Sequence, residues 1–304
     1  MLRLTEIKLP LKKYNDDDLR RAIVERLAIV PTELLNFTVF RRGYDARKRS
    51  NILFVFTLDV ELKDEAAVVN RLKTANNDAH ISPTPDTRYK FVTRAPEGLK
   101  SRPVVIGTGP CGLLAGLVLA QMGFRPIILE RGKAVRERTK DTWGLWRNNK
   151  LNPESNVQFG EGGAGTFSDG KLYSQIKDPQ HHGRKVLEEF VKAGAPEEII
   201  YVSKPHIGTF RLVKMVENMR ATITELGGEI RFSSKVDRIN IEKGAVTGVT
   251  LADEESIAAE HVVLAIGHSA RDTFQMLYEQ GVFIEAKPFS IGFRVEHPLA
   301  MIDR

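Results

Sequence analysis

The feature that most constrains this chain lies between residues 103 and 130. Pro103-Val-Val-Ile is a short apolar run that breaks at Gly107. Gly107-x-Gly109-x-x-Gly112 follows, and Leu113, Leu114, Leu117, Val118 and Met122 continue at helical spacing to a stop at Gly123. Pro126-Ile-Ile-Leu is a second apolar run, and Glu130 stands at its end. A glycine triplet alone says little. Set between a strand and a helix, with an acid about 20 residues on, it predicts a dinucleotide site of Rossmann type. Gly107 allows the tight turn, Gly109 lets backbone approach a pyrophosphate, and Gly112 lets the helix pack on its strand. The free N–H groups and positive end of the helix then face the diphosphate, while Glu130 accepts from a ribose. The bland alternative is a tight strand–helix turn with no ligand.

The same stretch imitates a membrane span. Pro103 to Phe124 carries no charge and contains Gly112-x-x-x-Gly116. Gly107, Gly109, Pro110 and Gly112 would break such a helix, so no membrane contact is expected. No secretory signal is visible either, because Met1–Pro10 alternates apolar and polar residues. With one cysteine there is no dithiol, disulfide framework or multi-cysteine metal site, and a reducing, cytoplasmic setting is expected. His181, His182 and His206 form no metal-ligand pattern, so no metal is expected.

The 304 residues suit more than one domain. Residues 1–100 hold nineteen Lys and Arg against fourteen Asp and Glu, which is nearly the whole net charge of +6. Leu2, Leu4 and Ile7 mark a strand. Asp16, Asp17 and Asp18 open a helix through Leu19, Ile23, Val24 and Leu27. Leu35–Arg42 and Asn51–Leu62 read as strands around a polar tip at 43–50, Lys63–Lys73 as a helix, and Tyr89, Phe91 and Val92 as a fourth strand. The order is βαββαβ, a ferredoxin-like α+β module over residues 1–95. Such modules name no function. Arg41, Arg42, Arg47, Lys48 and Arg49 raise RNA binding, with Phe54 and Phe56 as stacking platforms. The segment around them lacks the basic-Gly-aromatic-Gly signature, so both rings are expected in the core and nucleic acid is not the expected partner.

Thr93–Arg102 is the expected linker. An α/β, Rossmann-like domain is expected over 96–275, and 276–304 begins a further substrate or cap domain. Five glycines crowd residues 160–170, interleaved with Thr166, Phe167, Ser168 and Asp169 and followed by Lys171. That density means backbone in unusual conformations or pressed against another surface, and the polar residues point to a ligand. Arg211–Leu226 is an amphipathic helix ended by Gly227-Gly228, and Glu229–Phe232 a strand leading to Val236. Residues 239–260 suggest a β-meander around Gly244 and Gly248. Ile284–Glu296 begins a strand pair. Trp143 and Trp146 read as packing residues, and Cys111 as a small residue in tight packing. No nucleophile elbow or acid–base pair is legible, so catalytic residues stay unassigned.

Gly107-Thr-Gly-Pro-Cys-Gly-x-x-x-Gly116 with Glu130-Arg131-Gly132 resembles the FAD site of glutathione-reductase-type flavoproteins. Phe159-Gly-Glu-Gly-Gly-Ala-Gly-Thr-Phe-Ser-Asp-Gly-Lys171 looks like the segment such proteins set beside the flavin. His261-Val-Val-Leu-Ala-Ile-Gly267 is similar to their later strand ending in Ala-Thr-Gly, with Ile266 in place of the hydroxyl residue. Together with the N-terminal module, the chain looks closest to the bacterial FAD-dependent dehydrogenases. The resemblance implies a FAD-dependent oxidoreductase with Gly107, Gly109, Pro110, Cys111, Gly112, Glu130 and Arg131 at the ADP half. It implies Gly162, Gly163, Gly165, Thr166 and Lys171 on the diphosphate–flavin side, Val236 near the adenine, and Ala265 and Gly267 closing the site. Asp169 joins Lys171 as a residue tuning the ring. It also implies a longer protein of which this chain is the front part. The substrate is a small molecule of unread identity, and the electron donor is unread too: NAD(P)H is a candidate, but no second strand-to-helix GxGxxG for it is present. Two rivals stay open: an RNA-associated protein using the basic module, and a single-site NAD enzyme.

Overall fold

A computed structural model describes residues 1–12, 14–76, 79–174, 176–288, 290–293 and 295–303, with backbone alone at 72–76. The N-terminal unit runs β1 (Leu2–Pro10), α1 (Asp16–Leu27), β2 (Leu34–Asp45), β3 (Leu53–Leu62), α2 (Glu65–Asn76) and β4 (Ile81–Pro83). Its sheet order is β2-β3-β1-β4, and every neighbour is antiparallel. Asn15 caps α1, its side chain accepting from the Asp18 N–H while the Asp18 carboxylate accepts from the Asn15 N–H. Leu19, Ile23 and Leu27 of α1 then pack on Leu2, Leu4, Phe56, Leu58 and Val60. Phe56 is fully buried, and Phe54 lies half-buried among Tyr14, Tyr44 and Phe56.

The fourth strand is not at Tyr89–Val92. Ile81–Pro83 pairs with Leu2–Leu4 instead. The Tyr89 and Phe91 rings anchor the following segment by stacking edge-on and by receiving the Lys185 ammonium. Their side chains hold a linker rather than a ladder.

The second unit begins with β5 (Val104–Ile106), α3 (Pro110–Gln121) and β6 (Ile127–Leu129), followed by α4 (Val135–Asn148), α5 (His182–Lys192) and α6 (Thr209–Glu225). It continues through β7 (Glu229–Arg231), β8 (Val236–Glu242), β9 (Ala245–Leu251), β10 (Ser256–Ala258), β11 (Val262–Leu264) and α7 (Arg271–Glu279), with a short helix at Leu299–Ile302. The uncharged stretch that imitated a span is β5, a turn and α3. Among the described residues no helix is long and apolar enough to cross a membrane.

The strands β11-β5-β6-β7 form a parallel sheet. Val105 and Ile128 pack on one face against α3 and α6, through Leu113, Leu117, Val216 and Ile223. Val104, Ile106, Ile127 and Leu129 pack on the other against the meander β8–β10 and Leu277 of α7. Burial on both faces is why the sequence reads as continuous apolar runs. Of the two glycines only Gly244 sits at a turn of the meander, between β8 and β9; the turn between β9 and β10 falls at 252–255. Gly248 lies inside β9, where a Cβ would come 2.4 Å from the Ile257 carbonyl oxygen, so close strand contact explains it. Helix α7 runs through positions 275 and 276. The strand pair expected over Ile284–Glu296 is not found at 284–288, 290–293 or 295–296; Phe289 and Arg294 lie outside the described residues. The two units touch where Arg42 of β2 pairs with the 201–203 segment: its N–H donates to the Tyr201 carbonyl at 2.7 Å, and the Ser203 N–H donates to its carbonyl at 2.9 Å.

Candidate functional site

A cavity of about 530 Å³ opens at the C-terminal ends of β5, β6 and β11. That is where open parallel sheets bind ligands, and the volume suits a cofactor. Gly107, Gly109, Pro110, Cys111, Glu130, Arg131, Gly163, Gly165, Val236, Ala265 and Gly267 all line it. Residues some 160 positions apart in sequence therefore converge. Phe159, Gly160, Ala164, Ser234, Lys235, His268, Thr273 and Phe274 also face it.

Four expected site residues lie elsewhere. Gly112 is beneath the turn, where a Cβ would sit 1.9 Å from the Gly107 carbonyl oxygen. Gly162 and Thr166 brace each other: a Cβ on Gly162 would meet Thr166 Oγ1 at 2.0 Å. Thr166 is buried and its hydroxyl donates to the Glu161 carbonyl. Lys171 is exposed, pairs loosely with Asp169 at 3.5 Å and bridges to His206, off the cavity. Gly112, Gly162 and Thr166 thus brace the turn and the loop from beneath, and Lys171 lies outside the cavity.

The glycines at the cavity are of two kinds. Gly107 has φ +102°, and a Cβ there would come 2.5 Å from the Ala265 carbonyl oxygen, so the fold itself requires glycine. Gly109 has ordinary extended backbone, φ −64° and ψ 179°, and a Cβ would meet only the Gly163 Cα, at 3.9 Å. Gly165 has nothing within 4 Å of such a Cβ. Among the described residues nothing requires these two to be bare. Gly109 is also the N-cap of α3, with no side-chain cap; Pro110 at the first helical position has no N–H and the Leu113 N–H is taken by the Gly109 carbonyl, so Cys111, which lines the cavity, and Gly112 carry the uncapped N–H groups of this helix start.

Glu130 is buried and saturated. Its Oε2 accepts from the Thr108 N–H at 2.8 Å and the Thr108 hydroxyl at 2.6 Å; its Oε1 accepts from the N–H groups of Gly132, at 2.9 Å, and Gly160, at 3.0 Å. It thus ties the glycine turn, the end of β6 and the 160s loop together. A ribose hydroxyl would share an oxygen that already serves the protein. Arg131 is spoken for as well. It donates to Glu154 at 2.6 Å and to both oxygens of Asp272, at 2.9 and 2.8 Å, with Phe159 beneath its guanidinium. Burial works against its charge, but the Asp272 and Glu154 carboxylates hold its pKa above the ordinary value. In return Arg131, and then Lys235, hold Asp272 well below the usual carboxylate range.

Two buried charges next to the 160s loop escaped the sequence reading. Arg138 of α4 is fully buried and, among the described residues, hydrogen-bonds only to main-chain carbonyls. Its neighbours Arg136, Glu137, Lys140 and Asp141 are charged, yet Val135, Arg138 and Thr142 follow helical spacing and are the buried face of α4. Trp146 lies on that same face in the last turn of α4, four residues beyond Thr142, with Trp143 to its side; at 56 % and 44 % exposed they are partly covered, packing edge-on against each other and, for Trp146, against Phe167. Glu161, within the glycine segment, accepts from the Val135 N–H at 2.7 Å and from Arg220 at 2.9 Å, while its Oε1 has no partner among the described residues.

Burial pushes the Glu161 carboxyl above its usual range. The folded chain therefore holds that proton at pH values where the unfolded chain has lost it. The stability this gives falls as pH rises from the ordinary carboxylate value through the raised one. Relative to Glu161→Gln, the wild-type chain is expected to lose stability between pH 5 and pH 8. Urea unfolding at the two pH values, followed by tryptophan fluorescence, checks this; parallel curves would remove the assignment.

Among the described residues no group of three His, Cys, Asp or Glu side chains is placed to hold a metal. Cys111 is an exposed free thiol at the cavity edge.

Residues 153–283 match the family described as flavin containing amine oxidoreductase, and residues 1–61 match a family described as a domain of unknown function (DUF8436). An uncharacterized protein of Clostridium beijerinckii is 42 % identical over 305 residues, which covers 99 % of this chain and 55 % of that protein. The chain thus spans about half the length of that curated relative. Among solved structures, Thermovibrio ammonificans THI4 is 18 % identical, covering 60 % of this chain and 64 % of that one with a TM-score of 0.39. L-amino acid deaminase from Proteus myxofaciens is 16 % identical over 60 % and 50 %, with a TM-score of 0.37. Glycine oxidase from Bacillus cereus is 16 % identical over 60 % and 59 %, with a TM-score of 0.32. These structural likenesses are distant and carry no argument about the site.

Proposed function

We propose that this chain is the dinucleotide-binding part of a FAD-dependent oxidoreductase. The observation that carries the reading is Gly109. Its backbone is ordinary and its surroundings are open, yet it is bare, at the uncapped start of α3 and over a cavity of cofactor size. A diphosphate seated against that turn accounts for the bareness. The flavin-oxidoreductase match over residues 153–283 supports FAD over NAD.

Gly107, Gly109 and the first N–H groups of α3 would bind the diphosphate. Val236 would lie by the adenine, and Gly163, Gly165 and Gly267 would line the remaining wall. FAD would supply transfer of an electron pair to or from a substrate. The chain's own part is to hold the cofactor, fix its orientation and keep water from it. Glu130 and Arg131 keep the walls in register through Thr108, Gly160 and Asp272. The N-terminal unit is read as a ferredoxin-like module on its element order, seated on the second unit through Arg42.

The test is an absorption spectrum of the purified chain before and after FAD is added. A flavin band retained through gel filtration in a one-to-one ratio is expected. Retention of NAD with no response to FAD would move the assignment to a nicotinamide enzyme. Binding of neither, with salt-dependent RNA binding in its place, would move it to the basic module.

A further inference from the structure

We infer that Arg138 is a positioning residue for the anionic part of the bound nucleotide, acting through the Gly163–Ala164 peptide. The inference rests on the nucleotide reading above.

Buried arginines usually face carboxylates. Arg138 is fully buried and, among the described residues, has no carboxylate within ion-pair distance. Instead it collects carbonyls from one segment. Nε donates to Asn156 at 2.8 Å, Nη1 to Glu161 at 2.7 Å and Gly163 at 2.8 Å, and Nη2 to Val157 at 2.7 Å. Glu130 and Glu161 are the charges that act on it, and burial lowers its pKa to about 10, so it stays a cation at neutral pH. The Phe167 ring lies 4.8 Å from its guanidinium carbon. A Cβ on Gly160 would strike its Cδ at 2.3 Å, so the loop wraps the side chain closely.

The consequence is directional. A trans peptide points its C=O and its N–H in opposite directions. The Gly163 carbonyl is aimed at Arg138 and also accepts from the Thr166 N–H at 3.3 Å. The N–H of the same peptide, on Ala164, is thereby aimed away from Arg138. Ala164 lines the cavity, and its N–H makes no hydrogen bond within the described chain. Gly163 lies against the start of α3: a Cβ on it would come 2.9 Å from the Gly109 Cα. The oriented N–H therefore stands beside the open N–H groups of α3, where the nucleotide's diphosphate would sit.

Without a clamp this orientation is poorly specified. Glycine at 160, 162, 163 and 165 leaves many backbone conformations available, and Gly163 adopts φ +63° and ψ −164°, a region other residues avoid. A planar fork with five donors can hold four carbonyls at once; a lysine ammonium, with three donors on one atom, cannot. Only this one peptide need turn over for the cavity to lose a donor and gain a carbonyl facing an anion.

The experiment titrates ADP and adenosine into the whole wild-type chain and into Arg138→Lys, with tryptophan fluorescence and thermal melting confirming the fold. Adenosine has no phosphate and reports the shape of the pocket alone. ADP affinity is expected to fall about tenfold or more, the scale of a lost charge-assisted hydrogen bond, and adenosine affinity less than about threefold. Arg138→Gln, the second variant should the lysine chain not fold, is expected to show the same split. Equal losses for both ligands, or no loss for either, would overturn the positioning role and leave the nucleotide reading standing. A wild-type chain that binds neither ADP nor FAD would overturn the reading and the inference together.

Discussion

Glu130→Ala is expected to unfold the second unit at a markedly lower urea concentration, losing on the order of 4 kcal/mol. The magnitude comes from what the carboxylate holds. Four donors from three separate segments end on it: the Thr108 N–H and hydroxyl, the Gly132 N–H and the Gly160 N–H. Stranding a buried donor costs about 1–3 kcal/mol, and water entering from the cavity recovers part of it. Glu130→Gln is expected to do little better, because an amide turns an NH₂ toward donors. Trp143 and Trp146 are the chain's two tryptophans and both lie on α4, so their fluorescence follows this unit alone. A midpoint shift with an unchanged slope is the expected signature. If the alanine variant stays within about 1 kcal/mol of wild type, the four bonds are not what holds the turn, and Glu130 serves the ligand alone.

The place of Glu130 in the fold explains what the sequence revealed and what it hid. Gly107, Gly109, Gly112 and Glu130 were legible because their spacing is local: a strand, a turn and a helix impose it within one βαβ unit. The sequence could not say that Glu130 would be saturated by its own chain, since Gly160 reaches it across thirty positions. Arg138 was hidden for the same reason. Its partners at 156, 157, 161 and 163 are carbonyls, and carbonyls leave no mark in a sequence. Thr166 and Lys171 were placed by resemblance to a segment rather than by spacing. The structure turns one inward against Gly162 and leaves the other outside. Tyr89 and Phe91 misled through composition: aromatic alternation describes a strand, but also a linker pinned by its rings to a neighbouring helix. The three residues that do complete the sheet, Ile81–Pro83, are too few for any period to show.

Gly109→Val is expected to bind FAD, or whichever dinucleotide the cavity takes, at least about a hundredfold more weakly, a loss of about 2.7 kcal/mol, with melting unchanged within a degree or two. The two halves of that statement have separate causes. On the protein side, φ −64° and ψ 179° suit any residue, and the nearest atom to a Cβ is 3.9 Å away, so the fold tolerates a side chain. Replacing glycine also narrows the unfolded ensemble, which offsets small losses. On the ligand side, the same Cβ and its methyls stand on the open end of α3, where close approach of an anion to main-chain N–H groups supplies the affinity. Gly112→Ala is the contrasting case. Its Cβ would lie 1.9 Å from the Gly107 carbonyl oxygen, so stability is expected to collapse before binding is reached. One pair of glycines three residues apart therefore separates the fold's demand from the ligand's. A Gly109→Val chain that melts as early as Gly112→Ala would assign Gly109 to folding. One that melts normally and still binds FAD like wild type would place the diphosphate somewhere other than this turn.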